Sequence, residues 1–193
     1  NFTGMFRYSA VGQVIDGADT SILSNITKIK MYKYITPTLN SGLKYTLSFN
    51  NAFYNPHSGH NASAGGIVSS TGFKISGDDT NEHFLDDDGT GNVRTYYLSG
   101  TTRIYTDSSY GTIDYTTGEI ILTSANITSV SNVDGATSTQ VRVTVTPSSN
   151  DIVPVRNQVL SIDTANSSIT GSVDTIESGS SQAGTSYTTT SSY

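Results

Sequence analysis

Apolar and polar residues alternate with period two along much of this chain, which is the pattern of β-strands with one buried face. Residues 28–35 alternate cations with apolar side chains and stop before Pro37. Residues 43–49 repeat the alternation directly after Asn40-Ser41-Gly42, a turn-forming sequence. We therefore expect these two segments to pair as a hairpin or meander.

The same alternation predicts further strands wherever it is bounded by Gly, Pro, Asn or Asp. These strands are expected at residues 67–75, 83–85, 93–98, 103–106, 111–115, 119–122, 140–146 and 157–163, and Ile169, Val173 and Ile176 could pair at a sheet edge. Residues 50–66 are rich in Asn and Gly and are expected to form a loop.

One stretch near the start favours a helix. Asp19 or Thr20 can cap a short helix that runs through Ile22 and Leu23 and ends near Asn25. Ala, Leu, Glu and Lys, which long helices need, are scarce. The sequence therefore predicts a mainly β fold of antiparallel sheets and meanders with one or two short helices.

Hydroxyl side chains dominate the composition, with 29 Ser and 29 Thr among 193 residues. With 18 Gly and 12 Tyr, this is typical of a β-rich extracellular or virion protein and not of a helical cytosolic enzyme. We treat residues 1–193 as one unit, with a possible subdivision into 1–110 and 111–193. Residues 178–193 are a tail of Ser, Thr, Gly and Tyr, expected to be mobile alone or ordered by packing on a partner.

Charge and cysteine content exclude several classes of function. The net charge is −6 and the ten Lys and Arg are scattered, so no basic patch for nucleic acid or anionic lipid is expected. Cysteine is absent, which excludes disulfides, thiolate zinc sites and cysteine nucleophiles. No apolar run approaches the roughly 18 residues that a membrane-spanning helix needs, so no membrane partner is expected.

The acidic run from Asp86 to Asn92 is the strongest local signal for chemistry. Asp86, Asp88 and Thr90, followed by Gly91, match the first part of a calcium-binding loop. The match fails at the twelfth position, where Tyr97 replaces the bidentate Glu. We favour a hairpin turn, in which Asp and Gly accept left-handed backbone geometry, and keep calcium as the alternative.

No catalytic signature accompanies the three histidines. His57 and His60 could hold a transition metal only with further ligands from the fold, so a solvated loop is the favoured interpretation. A Ser-His-Asp triad would need one of these two residues or His83, and no Gly-x-Ser-x-Gly elbow or phosphate-binding Gly-rich loop occurs. We therefore expect no enzymatic activity, no cofactor and no small-molecule substrate.

Three segments, taken in order, carry a resemblance to a known family: residues 84–94, 111–120 and 150–158. Their succession resembles the C-terminal region of the baseplate wedge ("hinge-pin") protein of T4-type contractile-tailed phages. The likeness is greatest to versions from marine, cyanobacterium-infecting phages, and the Ser-, Gly- and Tyr-rich ending looks like the C-terminus of such proteins. The chain, which opens at Asn1, is then expected to be a fragment of a longer protein.

The resemblance implies a structural virion protein without enzymatic activity, assembled in the bacterial cytoplasm into the tail baseplate. Members of the family form homodimers and link neighbouring wedges into a ring around the tail hub, so the implied partners are a second copy and other wedge proteins. The residues alone leave another interpretation open. This is a β-sandwich binding module or adhesin that holds calcium at Asp86, Asp88 and Thr90 and recognises a surface glycan.

The segment around Pro154 is the candidate interface. Pro154 blocks a regular strand ladder, while Asp151 and Arg156 could pair within the subunit or reach across a dimer contact. Both arrangements remain open from the sequence. The candidate interface residues are Asp151, Ile152, Val153, Pro154, Arg156 and Asn157.

Overall fold

A computed structural model describes residues 4–60, 66–155 and 159–172 of the chain. In these ranges one short helix precedes nine β-strands. The elements are α1 Tyr8–Asp16, β1 Met31–Ile35, β2 Gly42–Ser48, β3 Val68–Ser70, β4 Phe73–Ile75, β5 Asp78–Asp87, β6 Asn92–Ser99, β7 Thr102–Asp114, β8 Glu119–Val130 and β9 Val141–Val145. The predicted mainly β class with a short helix is confirmed.

The strands form two antiparallel sheets. The smaller sheet has the order β1-β9-β3 and the larger one the order β2-β8-β4-β5-β6-β7. An additional pairing joins β7 to β8, so β8, β4, β5, β6 and β7 follow one another in a closed circuit.

Carbonyl directions on β8 show how this circuit closes. The Ile127 carbonyl accepts the Asn40 N–H next to β2, and the Asn126 carbonyl accepts the Ser76 N–H next to β4. Because successive carbonyls point to opposite edges of a strand, β2 lies on one edge of β8 and β4 on the other. β2 and β7 pair with the same residues of β8, so β7 shares the edge of β4.

Side chains from both sheets form one buried core. Val141, Val143 and Val145 point inward from β9, which lies between two strands, and are at most 1% exposed. They pack in the same cluster as Phe73 and Ile120 of the larger sheet. Burying each side chain of this kind contributes about 1.5–3 kcal/mol, so the period-two alternation of β9 fixes which face lies inward.

The predicted hairpin between residues 28–35 and 43–49 is wrong. Both segments contain strands, but β1 pairs with β9 and β2 pairs with β8, in different sheets. The connection passes through Asn40, whose left-handed backbone (φ 58°) and hydrogen bond to the Ile127 carbonyl hold it against β8. Alternation predicts which face of a strand is buried, and it does not identify the strand that pairs with it.

Two other predicted boundaries are also corrected. The single strand predicted at residues 67–75 is split into β3 and β4, which belong to different sheets. The split falls at Thr71, whose N–H bonds to the Arg142 carbonyl, and at Gly72, whose carbonyl accepts the Ser131 N–H. Conversely, the strands predicted at 103–106 and 111–115 belong to one long strand, β7.

The predicted helix at residues 19–25 is wrong, and the helix lies earlier. The Asp19 carboxylate accepts the Ser21 N–H at 2.8 Å, which stabilises only a turn. Leu23 is 82% exposed, so no apolar face packs to hold a helix there. In α1, Val11 and Ile15 are half-buried at i, i+4 spacing.

The chain divides into two compact units, Asn1–Leu160 and Ser161–Tyr193. The possible boundary between residues 110 and 111 falls inside β7, so the structure divides elsewhere. No strand forms in residues 159–163 or at Ile169, contrary to prediction. In the second unit the Asp163 carboxylate instead accepts the Ala165 and Asn166 N–H groups in a turn.

Some residues named in the predictions lie outside the described ranges: Arg156, Asn157, Val173, Ile176 and the tail at 178–193. Within the described ranges, no helix is long and apolar enough to cross a membrane.

Candidate functional site

The acidic run forms the hairpin between β5 and β6, and its three carboxylates point in three directions. Asp86 and Asp87 are consecutive strand residues, so their side chains lie on opposite faces of the sheet. Both are buried, at 1% and 0% exposure. Asp88 follows them in the turn, where its N–H bonds to the Asn92 carbonyl at 3.1 Å.

Asp86 is neutralised by arginines from two neighbouring strands. Its Oδ1 accepts Arg94 Nε at 2.9 Å, and its Oδ2 accepts Arg103 Nη1 at 2.9 Å and the Tyr105 hydroxyl at 2.8 Å. The Arg94 guanidinium lies 4.2 Å from the centre of the Tyr105 ring, and that of Arg103 lies 4.6 Å from the Tyr96 ring. Burial, followed by the hydrogen bond to Asp86, raises the pKa of Tyr105. Both carboxylate oxygens are therefore engaged by protein donors.

Asp87 joins the two sheets on the core side. Its Oδ1 accepts the N–H groups of Ile67 and Val68 at 2.6 and 2.9 Å, at the start of β3. Its Oδ2 accepts the Tyr115 hydroxyl at 2.6 Å. Burial and then the bond to Asp87 raise the pKa of Tyr115 far above the ordinary tyrosine range. Sequence reasoning missed Asp87, because the acidic run was expected to be a turn and β5 extends through this residue.

Asp88 organises the turn itself. Its Oδ1 accepts the N–H groups of Thr90 and Asn92 at 2.7 and 3.0 Å, and its Oδ2 accepts Asn92 Nδ2 at 2.6 Å. Burial opposes the charged form, but these hydrogen bonds outweigh it and lower the pKa of Asp88 from 3.8 to about 2. Gly89 and Gly91 have φ of 75° and 120°, as the favoured turn interpretation requires.

A calcium ion at Asp86, Asp88 and Thr90 would have to displace these donors. Thr90 contributes its N–H to Asp88, and Asp86 is held between two guanidinium groups. Among the described residues, no group of three or more His, Asp or Glu side chains is arranged to hold a metal ion. Calcium at this hairpin stays a prediction.

The structure brings His57 and His60 together and places His83 in a strand, outside their loop. His57 Nε2 lies 3.1 Å from His60 Nδ1 on the loop between β2 and β3. His83 is fully buried on β5, with its Nε2 3.5 Å from Asp78 Oδ2 and its ring edge-to-face with Tyr97. Within the ranges that the structure describes, neither ring nitrogen of His83 has a hydrogen-bond partner. These contacts place His83 in the packing of β4–β6.

Part of the predicted interface segment is occupied within the subunit. Asp151 Oδ1 accepts the Tyr8 N–H at 2.8 Å at the start of α1, and Ile152 is buried and exchanges two backbone hydrogen bonds with Phe6. Val153 is 47% exposed, although its backbone N–H and carbonyl both bond to the Asn51 side chain. Pro154 is half-buried. The interface itself therefore stays a prediction, carried by Val153 in the part described.

A shallow depression of about 670 Å³ lies beside α1 and is open to solvent. Its polar groups include Gln13, Asp16 and Asn25, and Asn25 Nδ2 donates to Asp16 Oδ1 at 2.5 Å. An open depression with an internally paired carboxylate is a poor site for enclosing a small substrate.

Large apolar side chains are exposed on α1 and on the irregular segments near both ends of the first unit. Val14 is 74% exposed, Leu23 82%, Ile26 89% and Val159 80%. We name these four residues the apolar rim. Sequence reasoning missed it, because an apolar residue outside a regular pattern gives no sign of whether it is buried.

Comparison of the chain with protein-family models, curated proteins and solved structures gives no match. The function is therefore argued from the residues, the resemblance that they carry, and the geometry described above.

Proposed function

We propose that this chain is a structural protein of a phage tail baseplate that acts by self-association and by contact with neighbouring wedge proteins. The proposal starts from the resemblance of residues 84–94, 111–120 and 150–158 to the baseplate wedge protein. On this proposal the chain belongs to the virion, and its partners are a second copy of the chain and other wedge subunits.

The exposure of the apolar rim is the structural observation that most supports assembly. Leu23 and Ile26 lie outside the helix and strands and keep more than four-fifths of their surface accessible. Each would contribute about 1.5–3 kcal/mol if a partner covered it. Leu23 and Ile26 are only three residues apart in the chain, so one partner surface can cover both.

The use of the charged residues also favours a structural role over catalysis. Asp86 is enclosed by Arg94 and Arg103, and Asp87 by two backbone N–H groups and Tyr115. These carboxylates already accept hydrogen bonds that hold strands together, which leaves them poorly placed to take a proton from a substrate.

Light scattering on a size-exclusion column tests the proposal, with calcium and again with chelator. A mass near twice 20.5 kDa is expected in both buffers. Replacing Leu23 and Ile26 together by Ser should shift the population to monomer. The matched control is Leu98→Ser, because Leu98 is 50% exposed and lies on β6 of the larger sheet, whereas Leu23 and Ile26 lie outside the strands.

Two results would contradict the proposal. The first is a wild-type monomer at all concentrations tested. The second is a monomer whose melting temperature rises with calcium, which would favour the binding module and make Asp86 and Asp88 the residues to replace.

A further inference from the structure

The loop between β2 and β3 holds two imidazoles at the spacing that one metal ion requires. His57 Nε2 and His60 Nδ1 are 3.1 Å apart, with the rings nearly perpendicular at 88°. Two nitrogens bound about 2.0–2.1 Å from one ion lie roughly 2.9 Å apart at a right angle and about 3.3 Å apart at the tetrahedral angle. The observed separation falls between these values.

Hydrogen bonding prepares His57 as a ligand. Its Nδ1 lies 3.2 Å from the Ser58 carbonyl, which can only accept, so Nδ1 carries the proton. In the neutral ring Nε2 then has a lone pair, which accepts a hydrogen bond from His60 Nδ1–H at 3.1 Å. A ligating histidine usually donates its other N–H in this way to a backbone carbonyl, which fixes the tautomer and the orientation of the ring.

Backbone contacts hold the two rings together before any ion arrives. The His60 N–H bonds to the His57 carbonyl at 3.0 Å, and the Gly59 N–H bonds to the Gly89 carbonyl at 2.8 Å. Gly59 has φ 78°, which favours glycine at this position. The His60 ring also packs edge-to-face on Tyr54, with ring centres 5.5 Å apart.

We propose that His57 and His60 form a two-imidazole site for a late divalent transition metal such as Zn²⁺. His57 binds through Nε2 and His60 through Nδ1, and the proton on His60 Nδ1 moves to His60 Nε2. The described residues bring no third His, Asp or Glu to the pair, so water takes the place of the further protein ligands and completes the coordination. Imidazole suits zinc, copper and nickel, whereas calcium prefers oxygen ligands, so this site differs in metal class from the one considered at the acidic hairpin. The proposal does not depend on the baseplate function.

Calorimetric titration of the full chain with ZnCl₂ tests the site, together with ¹⁵N NMR of the imidazole rings. One Zn²⁺ per chain is expected, with resonance shifts at His57 Nε2 and His60 Nδ1. Removing a residue that only hydrogen-bonds to a metal ligand already costs about 10–100-fold in metal affinity, so removing a ligand by His57→Gln or His60→Gln should weaken zinc binding by roughly tenfold or more. Ser58→Ala is the matched control, since it keeps the backbone carbonyl and should bind like the wild type.

Circular dichroism of each variant establishes that the fold is intact, which is expected because both histidines are exposed. The proposal is overturned if wild type takes up no zinc saturably, or if a variant that combines His57→Gln with His60→Gln binds zinc as tightly as wild type. It is also overturned if the shifts occur at His83, or if His57 Nε2 and His60 Nδ1 do not shift; the proton taken up by His60 Nε2 is expected to move that resonance as well. A monomeric chain that binds zinc at this pair would refute the proposed self-association and leave the metal site standing.

Discussion

Replacing Asp87 by Ala removes one buried carboxylate and leaves three donors without their acceptor. These are the N–H groups of Ile67 and Val68 and the hydroxyl of Tyr115. Hydrogen bonds to charged groups contribute about 1.5–3 kcal/mol each, but removing the carboxylate also removes its own desolvation cost. We therefore expect the free energy of unfolding to fall by about 3–5 kcal/mol, which is less than the sum of three such hydrogen bonds.

Urea denaturation and thermal melting measure this loss. For a chain of this size the expected change corresponds to a melting temperature lower by roughly 6–20 °C. Asp114→Ala is the matched control, because Asp114 is an exposed aspartate that accepts the Thr116 and Thr117 N–H groups in a turn. Its replacement should cost only about 1 kcal/mol.

Two further measurements separate the hydrogen bonds of Asp87 from general damage to the fold. Amide exchange in Asp87→Ala should accelerate first at Ile67 and Val68, since both lose the same acceptor. A double-mutant cycle of Asp87→Asn with Tyr115→Phe should give a coupling energy of about 1–3 kcal/mol. If the free energy of unfolding of Asp87→Ala lies within about 0.5 kcal/mol of the wild-type value, the reasoning about this carboxylate is refuted.

Three other predictions concern the turn, the helix and the core. The pKa of Asp88 is lowered from 3.8 to about 2 in the folded chain, so its contribution to stability is complete above about pH 5 and is lost as the pH falls through about 2. Asp88→Asn should flatten that part of a plot of urea midpoint against pH, and an unchanged acid slope would contradict the prediction. Asp151→Ala should cost about 1 kcal/mol and reduce the helical NMR shifts of α1, whereas unchanged shifts would show that the helix does not need this carboxylate. Val143→Ala, at 0% exposure, should cost about 2–3 kcal/mol in urea denaturation, against less than about 0.5 kcal/mol for Val153→Ala, and equal costs would contradict the assignment of the core.

The local pattern of the sequence was sufficient for the class of the fold and for several turns. The alternation of Val141, Val143 and Val145 predicts the buried face of β9, and Pro147 marks its end. In the acidic hairpin, Asp88 and the two glycines that flank Thr90 predict the turn that forms. These features depend on backbone conformation and on contacts between near neighbours, which the sequence displays directly.

The pairing of strands and the partners of the carboxylates were decided by the tertiary structure. β1 pairs with β9, more than a hundred residues later. Alternation does not predict this partner, because many apolar strands could cover the inward face of β1. Asp151 reaches Tyr8 across 143 positions, and Asp86 meets Arg103 from a strand two places along the sheet. A period of two determines the face on which a side chain lies, but the group opposite it depends on the register of distant strands.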